Sequence, residues 1–385
     1  MSTLKVDAIR HNSATSDAIT TSADGTCTAK LTSVGGGGLS HRNLLINGAM
    51  MVAQRGTTST STDGYLHVDR WRTSCGTTGN SITTSQDTDS PVNFKNSLKY
   101  TVTSAAGSTQ NSSTFEQMIE GQNMSHLNWG TSDARAVALS FYVKCSVANL
   151  VLGGAITNNF NGQTYPFTYT TNSSANTWTR HTVYITGPTS GTWATDNTTG
   201  MRVIFNLGSA SARLATAGSW ANTIARGPTG AGSLTTVVNS TFFLTGCQLE
   251  VGDTATTFEH RSIGDEMHRC QRYFYMCADG TRGKAGTNRA PICTGAMYNA
   301  SNFNGVVNFP VEMRTTPSLY KVVGSGYFRI WGNGGSDGCN DVVLEGSSPQ
   351  CGIANIYDGL SQTSGSATWA TTDNAACRLG FQAEV

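Results

Sequence analysis

Apolar and polar side chains alternate along this chain in short runs. Over residues 136–144, Val137, Leu139, Phe141 and Val143 share one face of an extended segment, the period-two signature of a half-buried strand. The runs at 150–155, 164–170, 180–185, 201–206 and 240–249 read the same way: Phe167 with Tyr169, Val183 with Ile185, and Val203 with Phe205 keep the period. Clusters of Gly, Asn, Asp, Ser and Thr separate them at regular intervals. Strands at that spacing predict a β-sandwich or jelly roll over 41–262, long enough to bury a core.

A helix is predicted over 263–274. Ser262 would cap it, Asp265 and Glu266 favour its positive end, and Met267, Cys270 and Phe274 form its apolar stripe. Beyond it, runs at 306–311, 318–323, 326–331 and 376–385 predict a smaller distal β-domain over 263–385 with this helix at its entry. Residues 1–40 form an appendage. Leu4, Val6 and Ala8 alternate with Lys5, Asp7 and Ile9, two further short strands are predicted at 18–20 and 26–31, and Gly35-Gly36-Gly37-Gly38 makes a hinge. Strands this short build no core of their own and must pair with something else. The fold class is all-β: N-terminal strands, a central jelly-roll β-sandwich and a smaller C-terminal β-sandwich.

Composition narrows the function. Charged residues are 13% of the 385 and the net charge is +1, so no long-range field attracts nucleic acid or an anionic membrane. Ser and Thr supply roughly a quarter of the chain in place of charge. No apolar stretch reaches membrane-spanning length, and the start Met1-Ser2-Thr3-Leu4-Lys5 lacks a signal-peptide core. The 10 cysteines show no CxxC pair and no His at finger spacing, so they read as mostly free, buried, small apolar side chains rather than zinc ligands. No metal and no cofactor is expected.

Five polar blocks stand out. They are Arg42-Asn43-Leu44-Leu45-Ile46-Asn47-Gly48 with Gln54-Arg55-Gly56; Gly64-Tyr65 with Val68-Asp69-Arg70-Trp71; Gln248-Leu249-Glu250-Val251-Gly252 with Phe258-Glu259 and Arg261; Cys270-Gln271-Arg272-Tyr273-Phe274; and Phe309-Pro310-Val311 with Met313-Arg314 and Pro317. Asp69, Arg70, Gln54, Arg55, Glu250, Glu259 and Arg261 can pair as Arg–carboxylate forks where first and last strands meet. The role expected of them is to hold the sandwich shut, with Trp71 in the core beneath.

In this order and spacing the blocks resemble tail fibres and related receptor-binding proteins of tailed bacteriophages, chiefly phages of aquatic bacteria. The resemblance implies a carbohydrate-binding-module-like jelly roll opened by the Asn43, Asn47 and Asp69-Arg70-Trp71 blocks and closed by the Gln248 and Glu250 block. It also implies a virion-attachment start at Leu4, Val6, Ala8 and Ile9. From it follow a homotrimer, a phage tail or capsid partner bound through residues 1–40, a host surface polysaccharide as receptor, and a place in the virion after synthesis in the host cytoplasm.

Sugar-binding faces use flat aromatic rings beside amides and charges. The candidates are Trp178, Trp193 and Trp220, each in polar, turn-like surroundings, with Tyr165, and at the tip Tyr298, Tyr327, Trp331 and Trp369 among Gly- and Asn-rich loops. Enzyme signals are weak. Gly334-Gly335-Ser336-Asp337-Gly338 matches G-x-S-x-G without its strand–turn–helix setting, and no pair of carboxylates is assigned a cleft. The expected function is therefore non-enzymatic adsorption to a host glycan. Two alternatives stay open: a capsid head fibre or decoration protein without a receptor role, and a polysaccharide depolymerase, for which the sequence lacks a long β-helical repeat.

Overall fold

The computed structural model describes residues 6–10, 12, 15, 17–23, 27–29, 41–61, 63–76, 81–105, 112–159, 162–332 and 334–385. The molecule is nearly all β, as its periodicity predicts. Two six-stranded antiparallel sheets form the larger sandwich. One runs Thr179–Ile185, Val137–Cys145, Thr241–Val251, Ser97–Ser104, Ser81–Asp87, Thr58–Ser59; the other runs Thr164–Thr170, Val151–Thr157, Thr199–Ser209, Ser112–Glu120, Arg72–Cys75, Asp63–Tyr65. Their inward faces interdigitate Trp71, Tyr100, Phe115, Phe141, Phe167, Phe205 and Phe242, all in one core.

A second core lies between a three-stranded sheet (Phe274–Asp279, Arg378–Gln382, Ser318–Val322) and a seven-stranded one. The latter runs Gly335–Cys339, Phe328–Gly332, Ala367–Thr372, Pro291–Asn299, Asn302–Asn308, Cys351–Tyr357, Asp341–Ser347. Phe303, Phe328, Ile330, Ile356 and Phe381 fill this core.

The helix covers Ile263–Gln271, and the Ser262 side chain accepts the Asp265 N–H as its cap. It ends before the predicted 274, because Tyr273 and Phe274 leave it to enter the distal sheet and take guanidinium groups over their rings. The strands Ala8–Ile9, Ile19–Thr21 and Cys27–Ala29 pair with one another, Ala8 opposite Thr20 and Ile19 opposite Ala29. Ala8 is half-buried, while Val6 and Ile9 are exposed. Leu4 and the Gly35–Gly38 hinge lie outside the described residues. The ten cysteines are free thiols, six of them buried. Among the described residues no helix is long and apolar enough to cross a membrane.

Candidate functional site on the distal sheet

The outer face of the seven-stranded sheet follows from strand alternation. In Phe328–Gly332, Phe328 and Ile330 enter the core, which leaves Arg329 and Trp331 on the other side. In Ala367–Thr372, Thr368 and Ala370 are buried and Trp369 is 49% exposed. Trp331 and Trp369 are register partners, and their rings lie 8° from parallel with centroids 6.1 Å apart. The register carries this face onward through Thr294, Ala296 and the 72%-exposed Tyr298 to Asn304 and Val306.

Polar groups surround the two indoles. Trp331 Nε1 donates to Thr371 Oγ1 at 3.1 Å. Asp373 is shared by two cations: Arg289 Nε reaches Oδ1 at 3.1 Å and Arg329 Nη2 reaches Oδ2 at 2.6 Å. The Arg289 guanidinium carbon lies 4.7 Å from the Trp331 ring centroid and that of Arg329 5.8 Å. Parallel indoles edged by amides, hydroxyls and guanidinium groups can take an apolar sugar face while satisfying its hydroxyls. Arg289, Arg329 and Asp373 were not visible as site residues in the sequence. The Ala-Thr-Trp-Ala-Thr-Thr alternation at 367–372 was the available signal.

The other aromatic candidates lie elsewhere. Tyr165, on its predicted strand, and Trp193, in its turn, are both buried, a correction to their expected role as rings open to a sugar. Trp193 packs edge-on against Trp129 with centroids 4.7 Å apart, and Trp220 lies 5.4 Å from Tyr165 and 5.6 Å from Trp193. The turns around them fold back over the sandwich end, and Trp220 Nε1 is satisfied by Thr186 O at 2.7 Å. Trp178 is half-buried on the jelly roll, donating to Asp89 Oδ1 at 3.1 Å, with Lys144 over its ring. Tyr327 is half-buried against the distal core.

The charged blocks divide into two networks. The first closes the jelly roll. Asn43 Nδ2 donates to Cys247 O at 2.9 Å and its Oδ1 accepts Leu249 N–H at 3.0 Å. Glu259 accepts the Asn43 N–H, Gln248 Nε2 donates to Glu250, and Arg261 donates to Leu45 O and Glu259.

The second network does not close the sandwich; it joins the sandwiches to each other. Gln54 donates its backbone N–H to Asp69 Oδ1 and its side-chain amide to Phe274 O, and its Oε1 accepts Met276 N–H. Arg55 and Arg70 both pair with Glu384, one residue from Val385. Arg70 sits at φ 70°, a region bulky residues seldom adopt, and that turn aims its guanidinium 3.5 Å from the Tyr273 ring centroid. Burial pushes the Asp69 carboxyl up to about 6, against the pull of Arg55 and Gln54. Asn47 ties Val52 to Asp69 through its side-chain amide. Among the described residues no group of three or more His, Cys, Asp or Glu is placed to hold a metal.

No protein-family model matches the chain, and no curated protein is similar to it. Among solved structures it is similar to the enzymatically active domain of bacteriophage CBA120 tailspike protein 4, at 14% identity and TM-score 0.29, over 55% of this chain and 21% of that one. It is also similar to the CBM22-1 xylan-binding domain from Paenibacillus barcinonensis Xyn10C, at 12% identity and TM-score 0.28, over 55% of this chain and 96% of that one. The tandem CBM22-1-CBM22-2 domain of the same protein aligns over 89% of this chain and 98% of its own, at 10% identity and TM-score 0.29. The chain thus spans about a fifth of the length of that solved tailspike domain.

Proposed function

We propose that this chain is a non-enzymatic glycan-binding subunit of a phage fibre, which adsorbs to a host surface polysaccharide through the outer face of its distal sheet. The observation that carries the reading is the Trp331–Trp369 pair, nearly parallel across adjacent strands, with Trp369 half exposed and Trp331 half-buried beside it. Core indoles of the same chain, such as Trp71 and Trp193, are instead enclosed by other rings. The phage setting draws its support from the ordered sequence blocks and from the N-terminal strands as an attachment arm. A trimer would present three such faces together, so that weak single-site contacts combine into tight adsorption.

The test is binding of fluorescently labelled full-length protein to intact host cells, with non-host cells as control and extracted surface polysaccharide as competitor. Saturable, competed binding that disappears in W331A/W369A is the expected result. Competed binding that survives the double substitution would move the site elsewhere. Absence of binding by a correctly assembled oligomer would leave a structural capsid or tail component as the reading.

A further inference from the structure

Two guanidinium groups and one carboxylate border the indole pair, so the rim of the face carries a surplus positive charge. The next acid along the Gly335–Cys339 edge strand does not offset it. Asp337 pairs opposite the core residue Ile330, on the other side of the sheet from Ser336 and Trp331, and its Oδ2 accepts the Ser361 N–H at 2.9 Å. The two arginines are used differently. Arg329 is committed: its Nε and Nη2 go to Asp373 Oδ2 and its Nη1 to Ser336 Oγ at 3.1 Å. Arg289 spends only Nε on Asp373. Its two terminal nitrogens donate to no described residue, its side chain is 39% exposed, and it lies 4.7 Å from the Trp331 centroid. Asp373 therefore anchors the stem side of a fork whose outer donors point to solvent at the edge of the aromatic face.

An arginine fixed in this way and left with two terminal donors is suited to a planar carboxylate, which it can take bidentately. We propose that the glycan bound on this face is acidic, a polysaccharide whose sugars carry carboxylate groups, and that Arg289 receives the carboxylate while a sugar ring lies on Trp331 and Trp369. This rests on the reading of the distal face as the glycan site and adds the class of ligand. Sulfated sugars share the negative charge and can also engage an arginine fork, so a sulfated polymer is the control that separates a carboxylate site from a general anion site.

The experiment uses the full-length protein against immobilised polygalacturonate, alginate and polysialic acid, each paired with its own carboxyl-reduced derivative, and dextran sulfate as the sulfated arm. Wild type should bind at least one acidic polymer about tenfold more tightly than the same polymer after reduction. R289M should bring the two affinities together, and R289K, which keeps the charge without the fork, should fall between. Thermal unfolding of both variants checks that they fold. Equal affinity for a polymer and its reduced form, or dextran sulfate bound as tightly as the best carboxylated polymer with R289K unimpaired, overturns the carboxylate assignment and leaves the glycan reading standing. Failure of every polymer, reduced or not, together with host cells unbound, overturns both.

Discussion

The guanidinium carbon of Arg55 lies 3.4 Å from the centroid of the Phe274 ring. A residue of the jelly roll thus rests on the first strand residue of the distal sandwich, and the same arginine reaches Glu384 at 3.2 Å. Arg70 joins that carboxylate from the other side and lies on Tyr273. Both guanidinium groups are almost fully enclosed, at 2% and 1% side-chain exposure. Two buried cations therefore share the Glu384 carboxylate, and Asp69 stands 3.9 Å from Arg55 as a second acid on that side.

Glu384→Gln should be severely destabilising. It keeps the shape and removes the charge, leaving the buried Arg70 without its carboxylate and Arg55 with Asp69 alone. Breaking a buried pair from one side costs about 3–5 kcal/mol. Urea unfolding followed by tryptophan fluorescence should show a lower midpoint and separate transitions for the two sandwiches. An unchanged single transition would mean that the link between them rests on packing alone.

Trp193 and Trp369 should part company when truncated. Trp193→Ala removes a ring from the Trp129, Trp193 and Trp220 cluster and should cost about 3–5 kcal/mol. Trp369→Ala removes a half-exposed ring that lies beside Trp331 and should cost under about 1 kcal/mol. Paired denaturation curves decide it. Equal losses would argue that Trp369 is a structural residue rather than a binding surface.

The architecture was legible wherever one strand face met the core and the other met water. Phe328 and Ile330 announce their strand because Arg329 and Trp331 alternate with them on the partly open face. The Ser112–Glu120 strand gives no such sign, since every one of its residues is buried. Its outward Glu116 is enclosed by Arg72, Arg202 and Arg226 rather than by water. The Asn43 and Glu259 block could be read because both ends of the sandwich carry part of it. Glu384 could not be connected to Arg55 and Arg70, because its partners lie more than three hundred residues away and nothing local marks it. Trp193 was misjudged for a related reason: Gly191 and Thr192 signal a turn correctly, but a turn does not say whether the loop folds back onto other rings.

Two buried groups should give the folding stability opposite slopes in mild acid. Burial holds the His67 imidazole down at about 4, below its ordinary value near 6.5. As pH falls below 6.5 the unfolded chain takes that proton first, so stability is lost on the way to pH 4. Burial holds Asp69 up at about 6. The folded chain takes that proton first, and stability is gained as pH falls from 6 towards the ordinary aspartate value near 4. Each slope is on the order of 1 kcal/mol per pH unit. His67→Gln should therefore flatten the loss of stability between pH 6.5 and 4.5, and Asp69→Asn should steepen it, in urea titrations at successive pH values. Parallel curves for wild type and both variants would contradict the buried placement of these groups.

Asn47 concentrates several demands on one residue. Its backbone sits at φ 56°, where a residue with a Cβ is disfavoured by roughly 1–2 kcal/mol unless a local side-chain bond compensates. Its amide donates to Val52 O at 2.8 Å and Asp69 O at 2.9 Å, and its carbonyl oxygen accepts Val52 N–H at 3.0 Å, all buried. Trp71 Nε1 donates to its backbone carbonyl at 3.1 Å. Asn47→Ala loses the three side-chain bonds and keeps the strained backbone, so it should cost about 3 kcal/mol or more. Asn47→Gly loses the same bonds but adopts that backbone freely, and should be the more stable of the two by about 1 kcal/mol. Alanine and glycine variants of equal stability would remove the backbone term. Two variants within about 0.5 kcal/mol of wild type would show that the backbone at Val52 and Asp69 is held by its neighbours and not by this amide.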